Sequence, residues 1–73
     1  MISDQQLKIK TDALTNKLSA GLFGEVITEA KGLLRKRSHQ MIYNILSIAY
    51  QSLGKFDLSV KIMEEALKKN PKN

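Results

Sequence analysis

The side chains able to do covalent or acid–base chemistry are few and scattered. His39 is the only histidine, cysteine is absent, and seven carboxylates are spread along 73 residues. A metal site wants several His, Cys or carboxylate ligands at short spacing. His39 stands alone between two helical segments, where a turn or capping role fits it better than catalysis. The acids fall on solvated helix positions, so no convergent acid–base pair can be assembled from them. No glycine-rich phosphate loop is present. No catalytic residue, metal or cofactor is therefore expected, and the chain is not expected to be an enzyme. What remains is the chemistry of binding.

The most conspicuous binding feature is the basic cluster Arg35, Lys36, Arg37, in a chain of formal net charge +5 with twelve bases and seven acids. Such a cluster could hold nucleic acid or an anionic surface. Yet Lys68, Lys69 and Lys72 form a second cluster, and both follow a helical pattern at its C-terminal end. Free carbonyls and the helix dipole favour cations there. No aromatic side chains interleave with either cluster as stacking platforms for bases. Nucleic acid is accordingly a disfavoured partner. No stretch approaches the ~20 apolar residues of a membrane span. The opening "MISDQQLKIK" lacks the apolar run of a signal peptide, so no membrane partner and a cytoplasmic location are expected.

These residues must be carried by helices. Ser3 with Gln6 reads as a capping box, and Asp4 suits the positive end of a first helix. Leu7, Leu14 and Leu18 continue it as one apolar stripe. Gly21 and Gly24 bracket a turn. A second helix follows in "EVITEAKGLLRK", with Val26, Ile27, Ala30, Leu33 and Leu34 on one side. Gly32 within it is either a point of close packing or without consequence. Ser38 suits the N-cap of a third helix, whose buried stripe reads Ile42, Leu46, Ala49, Tyr50, Leu53. Gly54 ends it. A fourth helix spans about Phe56 to Lys69 with Phe56, Val60, Met63 and Leu67 as its main stripe, and Asn70-Pro71 stops it.

The two halves align without a gap when Gly21 is set on Gly54. Phe23 then matches Phe56, Ile27 matches Val60 and Leu34 matches Leu67. The offset between them falls in the range of periods, roughly 20–50 residues, that marks arrays of repeats. Residues 40–73 resemble one full tetratricopeptide repeat, a helix–turn–helix unit of about 34 residues. The resemblance rests on Tyr43, Leu46, Ala49-Tyr50, Gly54, Phe56, Ala66-Leu67 and Pro71. Small Ala49 and Ala66 would let two helices approach, Tyr50 and Phe56 would fill the angle between them, and Gly54 would make the reversal. Ser47 and Ser59 depart from the pattern, which usually has glycine or alanine there. Residues 6–39 resemble a degenerate repeat, with Asn16 and Lys17 where Ala49 and Tyr50 stand in the other copy. The implied fold is all-α: a single domain of two antiparallel hairpins, stacked as a short right-handed superhelical fragment.

In this family one face of each first helix lines a groove that holds a peptide or partner segment. Carried over by position, that face comprises Met41, Asn44, Ile48, Gln51 and Ser52, with Lys8, Thr11, Thr15, Leu18 and Ser19 from the degenerate copy. Met41 and Ile48 lie off the main stripe of their helix, as a groove for a partly apolar peptide requires; packing against a neighbouring helix would explain them equally. Some members clamp the acidic C-terminal tails of chaperones with Lys and Asn. The matching positions here read Thr11, Thr15 and Ile45, so such tails are not expected as partners. Leu58 and Ile62 lie on a different side of the fourth helix from its main stripe. With Met63 they are candidates for an end-face or subunit contact.

Stacked repeats bury each unit against the next. The last pair should leave an apolar strip open, along the edges of Ile45, Leu53, Met63 and Leu67. The expected function is protein–protein interaction, with a protein or peptide partner, in what reads as the N-terminal piece of a longer protein. The competing readings are a self-associating chain, and a structural or regulatory segment at the head of a bacterial transferase-type enzyme.

Overall fold

The computed structural model describes residues 2–69. They form four helices: α1 (Asp4–Ser19), α2 (Phe23–Lys36), α3 (Gln40–Ser52) and α4 (Phe56–Lys69), with no strand among the described residues. Asn70 and Pro71, the expected stop for α4, lie outside them.

Several boundaries have a local cause. Ser3 caps α1 as expected: its hydroxyl accepts from the Gln6 backbone N–H, and the Gln6 side chain accepts from the Ser3 N–H. α1 and α3 end in the same way, at matching positions of the two halves. Gly21 and Gly54 take φ of 80° and 75°. The following N–H groups, of Leu22 and Lys55, reach back to Lys17 and Tyr50 carbonyls at 3.0 and 2.8 Å. This closure satisfies carbonyls left open at a helix end, and the left-handed backbone it needs suits glycine. α2 and α4 begin at the matching Phe23 and Phe56 and end at the matching Lys36 and Lys69. The offset in sequence is thus also an offset in structure.

Two expectations about local structure need correction, and the alternatives left open for Gly32 are decided. α2 starts at Phe23, so Gly24 lies inside the helix instead of bracketing the turn. Ser38 does not cap α3; His39 does, its Nδ1 accepting from the Met41 N–H at 3.1 Å. The Ser38 hydroxyl lies 3.3 Å from the Tyr43 hydroxyl instead. Gly32 marks no close approach, since a Cβ added there would meet nothing within 4 Å.

The core lies where α1, α2 and α3 meet. Leu7 and Leu14 from α1, Val26, Ala30 and Leu33 from α2, and Ile42, Ile45, Leu46, Ala49 and Tyr50 from α3 are buried together. Each fully buried Ile or Leu here contributes roughly 1.5–3 kcal/mol by leaving water. α3 packs on all three other helices, whereas among the described residues the backbone of α4 comes close only to α3. The result is a slab with extents of 32 × 29 × 17 Å.

α4 departs furthest from expectation. Its buried residues are Ser59 and Ala66, with Ile62 half-buried against the core. The expected main stripe of Phe56, Val60, Met63 and Leu67 is exposed by 63, 57, 38 and 58%. Phe56 therefore does not fill the angle between α3 and α4. The cause is geometric: α4 has a broad apolar side, and its only neighbour covers part of it. Ser47 and Ser59, both buried, hydrogen-bond each other at 2.6 Å across the α3–α4 contact, and Ser59 accepts from Gln51 Nε2 at 3.1 Å. Small hydroxyls thus let the helices approach while holding them with a polar clasp. Leu53 and Ile45 also separate: Leu53 is 45% exposed, while Ile45 is buried and takes no part in the open strip.

Candidate partner-binding groove

α3 carries no charged residue. Its buried side takes Ile42, Tyr43, Ile45, Leu46, Ser47, Ala49 and Tyr50. The remaining arc presents Met41, Asn44, Ile48, Gln51 and Ser52 to solvent. All five candidates on this helix thus share one exposed face. Met41 and Ile48 are 49 and 48% exposed, so no described helix of this chain covers them. Asn44 Oδ1 accepts from Gln40 Nε2 at 3.0 Å. That bond orients the amide and leaves its Nδ2 protons for a ligand.

α1 flanks this face. Thr11 and Met41 line one open cleft of about 430 Å³ together with Leu7, Lys8, His39 and the ion-paired Arg37 and Asp4. Thr11 itself is buried at 3% exposure, and its hydroxyl donates to the Lys8 carbonyl at 3.1 Å. It forms the floor of the cleft, with no hydroxyl to offer. Thr15 is exposed, but its hydroxyl likewise donates within the helix, to the Thr11 carbonyl at 2.9 Å. Lys8 is held by Asp12 at 3.0 Å. The Thr11 and Thr15 hydroxyl protons are therefore engaged within α1, and on α3 the Gln51 amide is in part engaged with Ser59. Ile45, one of the three positions corresponding to a chaperone-tail clamp, is buried.

The three candidates for an end-face contact do not form one patch. Leu58 and Met63 are exposed, but their sequence separation sets them about 140° apart around the helix. Ile62 between them packs on the core.

One organising residue escaped the sequence reading. Lys17, which holds the place of Tyr50 in the other half, reaches across to Glu29 and Glu25 of α2. The hydrogen bond to Glu29 raises its pKa above the ordinary lysine value, with the charges of both acids adding to the effect. The signal was present as a lysine followed by two acids beyond the turn, but no periodicity rule links positions across a turn. A second cleft of about 360 Å³ lies between α1 and α2, lined by Ile9, Lys10, Ala13, Glu29, Gly32 and Lys36 among others. Its mixed charges, and the lack of any unpartnered buried polar atom among the described residues, give it no defined chemistry.

Among the described residues no group of three His, Asp or Glu could hold a metal ion, and no helix is long and apolar enough to cross a membrane. Compared with known proteins, the chain matches no family model, no curated protein sequence and no solved structure.

Proposed function

We propose that this chain is a protein–protein interaction module of the tetratricopeptide-repeat type, and that the face of α3 beside α1 receives an extended peptide segment. The observation that carries this reading is the uncharged, exposed arc Met41, Asn44, Ile48, Gln51, Ser52 on a helix otherwise packed against its neighbours. An exposed helix face without charge is a poor solvent face and a good peptide surface. Met and Ile supply apolar contact, and the amides can pair with main-chain N–H and C=O groups. Affinity then comes from shape and apolar burial, and depends weakly on salt. The common offset of helix ends and glycine turns between the two halves further supports the repeat reading.

The test is selection of binders from a displayed random-peptide library on the 73-residue chain. Binders enriched on the native chain should lose affinity on Ile48→Glu and on Asn44→Ala, both at exposed positions that leave the helices intact. Enriched peptides that bind both variants equally well would refute the groove.

A further inference from the structure

α2 and α4 are the same helix written twice, once in each half, yet their apolar sides have different fates. In α2, Ala30 is fully buried, and Phe23, Ile27 and Leu34 pack on the core. The matching residues of α4 are Met63, Phe56, Val60 and Leu67, and all four stand in water beside exposed Leu53. Five large apolar side chains on one strip exceed the singly scattered exposure that is ordinary for a surface.

The chemistry at the strip's edge indicates what covers it. Asp57, Lys61, Glu64 and Lys68 follow one another along one flank of the stripe, so charge alternates in sign along the helix. None of the four has an ion-pair partner within the described residues. Laid antiparallel on itself, such a row sets Asp57 against Lys68 and Lys61 against Glu64 of the second copy. A parallel two-fold arrangement would place the two rows on opposite edges of the contact, where they could not pair. The other end of the molecule is a poor partner. The α1 residues that match Ile42, Tyr43, Leu46 and Ala49 are Ile9, Lys10, Ala13 and Asn16, all exposed. Stacking them on α4 would bury a lysine and an amide without partners.

We propose that two copies of this chain pair face to face through α4, antiparallel and about a two-fold axis, burying Leu53, Phe56, Val60, Met63 and Leu67 of both. A two-fold contact of this kind uses the same patch on each protomer and closes on itself. It leaves the α3 face free, so it stands apart from the groove proposed above.

Sedimentation equilibrium of the 73-residue chain across a wide concentration range tests this. The native chain should show a reversible monomer–dimer equilibrium. Val60→Glu should be monomeric with unchanged helical circular dichroism, and Ile48→Glu should still dimerise. The charge row supplies a second test that does not depend on the apolar strip. Asp57→Lys with Glu64→Lys makes the row wholly basic, and Lys61→Glu with Lys68→Glu makes it wholly acidic. Each double variant alone should dimerise more weakly, on the order of tenfold, and an equimolar mixture should recover association as a heterodimer. A native chain that stays monomeric throughout, as it would if the strip awaits a helix from another protein, would overturn the proposal. So would a dimer that survives Val60→Glu, or a mixture that associates no better than its components.

Discussion

The Ser47–Ser59 clasp offers the sharpest test of how α4 is held. Ser59 has two partners: the Ser47 hydroxyl at 2.6 Å, and the Gln51 amide, which donates to it at 3.1 Å. Ser47→Ala removes one bond but leaves Ser59 satisfied by Gln51. Its expected cost is that of one net hydrogen bond, about 1 kcal/mol. Ser59→Ala removes both bonds. Gln51 is exposed and can turn to water, but the Ser47 hydroxyl, 4% exposed, loses its partner across the interface. A buried unsatisfied group costs about 1–3 kcal/mol, so Ser59→Ala should be the more damaging change. The double variant removes the orphaned hydroxyl as well, and should be no less stable than Ser59→Ala alone. The cycle therefore has an expected coupling of about 1 kcal/mol, within the range seen for residues in contact. Urea denaturation of all four forms measures it. For a domain of this size each kcal/mol shifts the melting temperature by about 4–8 °C, so thermal melts should rank the variants alike. Strictly additive losses, or a Ser47→Ala variant less stable than Ser59→Ala, would refute the clasp.

Other expectations follow from the same geometry. In hydrogen exchange at low protein concentration, amides of α4 should open before those of α3, because α4 packs on one neighbour and α3 on three; equal protection in both would contradict this. Leu46→Ala, at a fully buried position, should cost about 2–5 kcal/mol, a large part of the stability of a domain this small, as read by denaturant melts. Gly54→Ala should destabilise by about 1–2 kcal/mol through its φ of 75° although a methyl group would fit, so melts of this variant separate backbone strain from packing. Lys17, whose pKa is raised in the folded chain, stabilises fully below the unfolded lysine pKa of about 10.4, and that contribution disappears as pH rises through the higher folded value. The stability gap between the native chain and Lys17→Met should hold steady from neutrality to about pH 10 and close above it; a gap that closes at neutral pH would exclude the Glu29 contact as its cause.

Much of the fold was legible because helix ends are local events. The capping box at Ser3 and Gln6, the reversals at Gly21 and Gly54, and the apolar stripes of α1 to α3 each depend on residues within one or two turns. The fates of Leu53 and of the Phe56–Leu67 stripe were not legible. Periodicity shows that a side of a helix is apolar, but not whether a neighbour covers it. Two adjoining apolar arcs on α4 compete for one partner, and the arc carrying the small residues Ser59 and Ala66 wins because it lets the backbones approach. The Ser38 cap failed for a similar reason: His39 stands one residue nearer the helix and its ring nitrogen reaches the Met41 N–H. In the exposed arc of α3, the positions were legible only through the family resemblance, carried over residue by residue. The closed hydroxyls of Thr11 and Thr15 were not, since a threonine within a helix can turn its hydroxyl inward onto its own backbone.

The mixed outer side of α1, where Lys10 and Asn16 interrupt exposed Ile9 and Ala13, bears on polymerisation. A repeat unit with two adhesive ends is a bifunctional monomer, and head-to-tail contacts between such units grow into rings or filaments without a fixed length. Lys10 and Asn16, beside exposed Ile9 and Ala13 on α1, with Lys17 turned onto its own hairpin, make that end a poor partner for an apolar strip. A monomer with a single reactive end can only terminate: it meets one complementary surface and growth stops. Restoring apolar residues in place of Lys10 and Asn16 would convert it to a bifunctional unit. The visible outcome would then be a ladder of lengths in place of one discrete species.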